Sequence, residues 1–573
     1  MADVYSPPLR DIRFTFEHLV DAAGLAKVDG FGHADVETML GLLEEYGRFC
    51  SQELVPLNPV GDTVGATWDG DTYDVTTAPG WQAAYAKYVE AGWNSVPFPE
   101  AHGGGGFPWL LAIAMQELLT SSCMAFSLCP LLTQGAIDML MHHGTEEQRE
   151  TYLRKMVSGE WTGTMNLTEP QAGSDVGALT TKAVPGEGDS WRISGQKIFI
   201  TYGDQDLTDN IVHLVLARVP DAPVGTKGIS CFIVPKFLDD GTKNAVRCIG
   251  IEHKMGIHGS PTCTMEYDGA VGWLVGGEPN RGMEQMFTMM NTARLSVGLE
   301  GLCLSERAYQ AALTYAQERR QGRAPGAPKG ASSPIVDHVD VRRMLLHIRA
   351  HNEALRALAY TNAWAIDTGD DELADLLTPL TKAWSTDLGS ELTRLATQVH
   401  GGMGYVRETG VEQHERDIRI AAIYEGTNGI QATDLVGRKL PMRAGGVVGD
   451  LIARIQSDAA ALPDDLRAPL DDAAAACRTA TDWLLEHGLA DPNDALAGAA
   501  PYLRLLASTV GGWLLGRQAL AAAGRDDPYL QAKVVTARYY LTQVLPTATA
   551  LVPAVTAGAA ALTAIPVEQL LGA

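Results

Sequence analysis

The hydrophobic period of this chain changes twice, and that constrains its fold more than any single motif. Up to about Glu160, apolar residues recur at helical spacing, in Asp35-VETMLGLLEEYGRFCSQEL, Pro108-WLLAIAMQELLTSS and Leu131-LTQGAIDMLMHHG. The last run ends at Gly144, a natural helix stop, and Thr145-EEQ offers a new start with Thr145 as cap and acids in the first turn. Past Glu160 the pattern becomes short runs of β-formers between Gly, Pro and Asp turns: Trp191-RISGQKIFIT, Ile211-VHLVLARV and Gly228-ISCFIVPK. These predict a small antiparallel barrel or sandwich. From Gly282 to about Arg320 the helical period returns, followed by helices over Asp340-VRRMLLHIRAHNEALRALAYTNAWAID and over residues 373–399, where Pro379 marks a start or a bend. An alanine-rich helical region then runs to the end. A β domain between helical domains is uncommon and narrows the fold class.

With 573 residues, about three to four structural units are expected. We set them at residues 1–163 (helical), 164–278 (β), 279–445 (helical bundle) and 446–573 (an extra helical domain). The formal net charge of −25 repels phosphate backbones and anionic membrane surfaces, so nucleic acid is not an expected partner. The eight cysteines show no CxxC pair and read as reduced, buried thiols. The start, MADVYSPPLRDIRF, lacks an apolar h-region, so a cytoplasmic location is the default expectation. Residues 539–567 carry no charge, but Pro546, Pro553 and Pro566 interrupt them; a buried helical region is expected there, and no integral membrane segment.

Several stretches could carry chemistry. In Thr168-EPQAGSD, small residues and hydroxyls let backbone N–H groups approach a ligand, though a polar turn with a Thr cap explains it equally well. Gln196-KIFIT reads on pattern alone as a half-buried strand; the functional alternative puts Phe199 beside a flat ring and Thr201 within hydrogen-bond reach of it. Gly103-GGG matches no phosphate-binding loop and reads as a turn. His347 and His351 stand at i, i+4 without an HExxH context, and the pair reads as a solvated or salt-linked helix face; no metal site is expected. Glu425 sits in the apolar run AAIYEGT. Burial raises a carboxylate toward the range of a general base, and local chemistry leaves Glu425 open between that role and an ordinary loop glutamate.

Taken together and in order, Thr168-EPQAGSD, Gln196-KIFIT, Asn291-TAR, Ala316-QERRQG, Gln398-VHGGMG and Tyr424-EGT resemble the acyl-CoA dehydrogenase family. The phrases MNLTEPQAGSDVGALTTKA and EHKMGIHGSPT look closest to its larger bacterial branch, which includes the 3-methylmercaptopropionyl-CoA dehydrogenase type. The resemblance implies a multidomain α+β protein: an N-terminal α-helical domain, a central β-barrel and a C-terminal four-helix bundle, plus the extra C-terminal helical domain. It implies FAD as cofactor and an acyl-CoA thioester as substrate.

By the same resemblance Leu167, Thr168, Ser174, Phe199, Thr201 and Thr427 lie at the flavin. Arg319, Gln398, Gly401 and Gly402 reach the FAD pyrophosphate across a subunit interface, so an oligomer completes the site; in similar larger enzymes the extra C-terminal domain covers the surface used for tetramers in smaller ones, so a homodimer is expected. Ser174, Asn291, Arg294, Glu425 and Gly426 lie near the acyl-CoA. Glu425 is the base for the α-proton, and its backbone N–H and an FAD ribityl hydroxyl stabilise the developing enolate. The product is a trans-2-enoyl-CoA, and an electron-transfer flavoprotein reoxidises the FAD. This chain departs from the family pattern at Phe199, commonly a tryptophan, and at Gln321-Gly322, where an aromatic often precedes the glycine. Two alternatives stand beside this reading: an acyl-CoA oxidase on the same scaffold, passing electrons to O2, and a catalytically inactive acyl-CoA or flavin-binding scaffold. The acyl group itself is open.

Overall fold

The computed structural model describes residues 5–488 and 490–572. The chain divides into two compact units, one of Gly41–Ser296 and one of Met1–Leu40 with Val297–Ala573.

In the first unit, helices Trp109–Ser122 and Met124–His143 form a helical core. Met124–His143 is long and apolar enough to cross a membrane, but 89% of its apolar window is buried inside the protein, as in the core helix of a globular domain. It packs on the first strand: Gly163 N–H donates to Thr133 Oγ1 at 3.1 Å. A Cβ at Gly163 would come within 2.5 Å of the Ala136 methyl, so this approach requires glycine. The next helix, Glu146–Ser158, starts on a full capping box: Thr145 Oγ1 accepts from Gln148 N–H, and Gln148 Oε1 accepts from Thr145 N–H. Gly144 ends the preceding helix with an extended backbone (φ −67°), so it is not the left-handed stop that its type suggests.

The sheet follows. Its strands are β1 (Trp161–Asn166), β2 (Lys182–Pro185), β3 (Ser190–Thr201), β4 (Asn210–Ala217), β5 (Ser230–Pro235), β6 (Val246–Ile251) and β7 (Thr262–Leu274). They are ordered β1-β4-β5-β7-β3-β2, with β6 also on β7. All pairs are antiparallel except β1 with β4, which runs parallel, a correction to the purely antiparallel expectation. The chain reaches β4 only after the β2–β3 hairpin, and so returns in the direction of β1. The β2 edge curls back toward β4: Ala183 N–H donates to Arg218 O and Arg218 N–H to Thr181 O, both at 2.9 Å. Ile193, Ile200, Val215, Phe232, Val234 and Met265 fill the interior.

The second unit is helical. Gly282–Glu318 enters it, and Val339–Asp367 and Asp371–His400 follow. Pro379 lies inside the last of these, which starts earlier, with Asp370 accepting from Leu373 N–H. Contact between helices is close: a Cβ at Gly301 would meet the Ser385 carbonyl. Helices Gly446–Ala459, Asp464–His487, Pro492–Ala522 and Pro528–Tyr539 complete it. Of residues 539–567, expected as a buried helical region, Tyr540–Val544 and Leu545–Thr549 are helical and bury Tyr540, Leu541 and Leu545, and Val555 is buried; most of the rest past Leu551 is not. There the prolines cut the chain into pieces such as Val552–Val555 and Ala560–Thr563, and Leu562, Ile565, Val567, Leu570 and Leu571 are exposed.

An N-terminal helix, Leu9–His18, is tied into this unit by a buried ionic cluster. Asp11 lies 2.8 Å from Lys533 Nζ and 3.6 Å from Arg356, and Lys533 also lies 3.3 Å from Glu353. Burial opposes the Asp11 charge, but the two cations and the Tyr529 hydroxyl hold its carboxyl well below the usual range. All eight cysteines are free and buried.

Candidate active site

In the Gly41–Ser296 unit the two candidate loops meet directly. Ile198 N–H donates to Thr168 O at 2.9 Å. The register of β3 against β7 slips between Lys197 and Ile200, so one extra residue bulges from β3. The bulge holds Phe199 at φ +59°, rare for an aromatic residue, and turns its ring outward, 57% exposed, while Ile200 stays buried. The strand is half-buried, as its pattern predicts, and the exposed Phe199 ring is its one outward aromatic past Lys197. Thr168 and Thr201 are half-buried, Leu167 is buried and Ser174 is exposed. On the Gly282–Glu318 helix, Asn291 is exposed and Arg294 is 5% exposed, with Arg294 Nη1 3.4 Å from Asn291 Oδ1.

Beneath the bulge lies a buried ion pair that pattern reading passes over. Lys197 Nζ donates to Glu169 Oε1 at 2.8 Å and to Leu167 O at 3.0 Å. Glu169 also accepts from the backbone N–H and hydroxyl of both Thr180 and Thr181. Burial works against its charge, but Lys197 and these donors bring its carboxyl down to about 2. The pair bolts the Thr168 loop to β3 at Lys197, where the bulge begins. Strand parity was the available signal: counting by twos from buried Ile193 puts Lys197 inside, and an interior charge needs a partner.

In the other unit, the end of the Gln398–Gln431 stretch forms a strained turn. Glu425 is half-buried at φ +54° and Gly426 follows at +83°. Several side chains anchor it, and Gln431 Nε2 donates to Glu425 O and Gly426 O, both at 3.4 Å. The Tyr424 hydroxyl bonds to both oxygens of Glu300 at 2.6 and 2.7 Å. Lys382 Nζ donates to Gly426 O at 2.8 Å and to Asn428 Oδ1 at 2.9 Å. Thr427 caps helix Asn428–Asp434, its hydroxyl accepting from Ile430 N–H at 3.2 Å. Sequence reasoning missed Glu300 and Lys382; a lone carboxylate within Val297-GLEGLCL was the signal.

The other end of that stretch is an exposed surface. Gln398, Gly401, Gly402 and Met403 are all exposed, and Tyr405 is 90% exposed. Tyr315 stacks on His400 with ring centroids 4.5 Å apart, which brings exposed Arg319, one turn beyond, to the same end of the bundle. Gly401 and Gly402 have no neighbour within 4 Å of an added Cβ.

His347 and His351 do not form the solvated face expected. His351 is buried against Tyr540 and Trp384, burial holds its imidazole down at about 3, and His347 meets Tyr539. Among the described residues no three or more His, Cys, Asp or Glu side chains gather as for a metal.

Four family models match in order: "Acyl-CoA dehydrogenase, N-terminal domain" over residues 34–160, "middle domain" over 164–270, "C-terminal domain" over 280–440, and "Acetyl-CoA dehydrogenase C-terminal like" over 450–566. The chain belongs to the acyl-CoA dehydrogenase family. It is 44% identical to a 3-methylmercaptopropionyl-CoA dehydrogenase of Ruegeria pomeroyi, across 94% of this chain and 96% of that one. It is 36% identical to a butyryl-CoA dehydrogenase of Syntrophomonas wolfei, across 95% of each. The fold matches an acyl-CoA dehydrogenase solved with FAD from Bacillus anthracis (TM-score 0.74, 20% identity, 98% of this chain and 93% of that one).

This acyl-CoA dehydrogenase is therefore an oxidoreductase whose cofactor is FAD and whose substrate is an acyl-CoA thioester. Its residues fit the cofactor. The exposed Phe199 face offers a flat apolar surface to a planar ring, and half-buried Thr168 and Thr201 flank it on bonded backbone. The open Gly401-Gly402 backbone and the exposed Arg319 suit a pyrophosphate.

Proposed function

We propose that this enzyme removes the α-proton of an acyl-CoA thioester with Glu425 and releases a trans-2-enoyl-CoA. The observation that carries the reading is the strained Tyr424-Glu425-Gly426-Thr427 turn. A carboxylate is held at an unfavourable backbone angle by anchors on the residue before it and on the two residues after it. Such strain persists where the surroundings over-determine it, as at catalytic positions. A free carboxylate is too weak a base for a thioester α-C–H, so position and exclusion of water must supply the difference. The Glu425 backbone N–H donates to the thioester oxygen as the α-carbon gives up its proton. The electron pair of that C–H bond becomes the new C=C bond as the β-hydrogen departs with its pair. FAD, when bound, would supply the hydride acceptor. Asn291 and Arg294 bind the thioester, and Ser174 borders both groups.

In the same reading, Leu167, Thr168, Phe199, Thr201 and Thr427 hold the flavin ring. Arg319, Gln398, Gly401 and Gly402 serve the pyrophosphate of a partner subunit in a cytoplasmic homodimer, and an electron-transfer flavoprotein takes the electrons. The 44% identity to the Ruegeria enzyme makes 3-methylmercaptopropionyl-CoA the first substrate to try.

The test is anaerobic flavin bleaching against a panel of acyl-CoA thioesters, with Glu425→Gln alongside. The variant keeps FAD and thioester binding and does not bleach. Normal bleaching in it removes Glu425 from the role. Peroxide release at the rate of turnover in air would instead make the enzyme an oxidase.

A further inference from the structure

Glu300 is the one carboxylate in the apolar run Val297-GLEGLCL of the Gly282–Glu318 helix. It is fully buried, and the reaction as proposed does not use it. The Tyr424 hydroxyl reaches both its oxygens, at 2.6 and 2.7 Å, and no other donor among the described residues bonds to it. One phenolic proton shared between two oxygens can be well aligned with only one of them. If the carboxyl itself carries a proton, both contacts are filled: the phenol donates to the carbonyl oxygen, and the carboxyl O–H donates to the phenolic oxygen.

The charges around it agree. Burial pushes the Glu300 carboxyl up to about 8; the Tyr424 bond and the Lys382 charge pull the other way, and Glu425 adds to the push. The Lys382 ammonium donates to Gly426 O and Asn428 Oδ1. Burial and the neighbouring Glu300 also push the Tyr424 phenol well above its ordinary value, so it keeps its proton. Tyr424 is bonded through the chain to Glu425, whose φ of +54° must be held from outside.

We propose that Glu300, as a protonated carboxylic acid, closes a two-hydrogen-bond ring with Tyr424 and thereby positions Glu425 for proton transfer. The inference rests on Glu425 being the base. Glu300 is a positioning residue: it touches neither substrate nor flavin. Losing its proton opens one bond of the ring and places a second negative charge behind the Glu425 turn. Flavin reduction then slows as pH rises through the ionisation of Glu300.

The sign for stability follows. The folded protein holds this proton above the ordinary glutamate range, so it binds more protons than the unfolded chain. Stability from this group is present at acid pH and is lost as pH rises to about 8.

The experiment uses the FAD-loaded enzyme, with Glu300→Gln and Glu300→Ala beside Glu425→Gln. Two quantities are followed from about pH 6 to 10: single-turnover flavin reduction by butyryl-CoA, and thermal stability without thioester. In the parent enzyme both fall through about pH 8. The Gln amide fills both contacts and cannot ionise, so Glu300→Gln loses both alkaline steps. Glu300→Ala slows flavin reduction about tenfold at neutral pH, and Gln restores most of that loss. Alkaline steps in Glu300→Gln identical to the parent overturn the inference, as does parent-like flavin reduction in Glu300→Ala. Should Glu300→Ala fail to fold, the Glu300→Gln profile decides. Normal flavin reduction in Glu425→Gln overturns the base assignment and this inference with it. A Glu425→Gln enzyme that does not reduce flavin, beside unchanged Glu300→Gln profiles, overturns this inference alone.

Discussion

Lys197 Nζ lies 2.8 Å from Glu169 Oε1, and both side chains are closed off from solvent, at 0% and 2% exposure. The pair joins a loop to a strand exactly one residue before that strand bulges toward the proposed flavin face. Lys197→Met leaves the Glu169 charge buried and unpaired. We expect it to destabilise the protein by about 3–5 kcal/mol in urea melts. Lys197→Met with Glu169→Gln removes both charges and costs clearly less. Equal losses in the single and double variants would mean that shape, not charge, holds the loop.

The same pair sets an acid limit. The Glu169 carboxyl is held down to about 2, below its ordinary value of 4.5. Its stabilisation is therefore present above pH 4.5 and is lost as pH falls toward 2. Thermal melts over this window should steepen in the parent relative to the Lys197→Met, Glu169→Gln double variant. Parallel curves would contradict the assignment.

Phe199 separates folding from cofactor binding. Its ring is exposed and contributes little to the core, while its left-handed backbone costs about 1–3 kcal/mol. Phe199→Gly relieves that strain, so the apo-protein should melt no lower than the parent. FAD affinity should nevertheless fall at least about tenfold, or ~1.4 kcal/mol, in a titration. A Gly variant that binds FAD like the parent would remove the ring from the cofactor face.

Arg319 is exposed and lies outside the core, so Arg319→Ala should leave apo-protein stability within about 0.5 kcal/mol. If it serves a pyrophosphate, the variant loses FAD on dilution. Complete FAD retention would count against that role, and Arg319→Lys should recover only part of it, because a point charge lacks the planar fork.

What the sequence made legible follows range of interaction. Thr145 and Gln148 form their capping box three residues apart, and local pattern was enough to find the start of that helix. The Gly282–Glu318 and Asp371–His400 helices emerged from their apolar period in the same way, within two residues of the ranges expected. The parallel β1–β4 pair escaped, because pairing direction depends on where the chain goes between them. Lys197 and Glu300 escaped because their burial depends on partners 28 and 124 residues away. The outward Phe199 ring depends on a register slip that strict alternation cannot show. Of the uncharged residues 539–567, the part past Leu551 misled through composition: Ala and Thr mimic a core stretch, but Pro553 and Pro566 prevent one continuous helix that would bury it.

Residues 5–40 and 297–572 belong to one compact unit, with Asp11 held by Lys533 across most of the sequence. During synthesis, Gly41–Ser296 leaves the ribosome complete and can fold while translation continues. The first forty residues cannot finish, because their anchor is among the last to be made. Until then the Leu9–His18 helix lacks the docking site that Lys533 provides. A premature stop before Lys533 would release a folded core carrying a sticky leader, so C-terminal truncation should be read out first as aggregation rather than as slow catalysis.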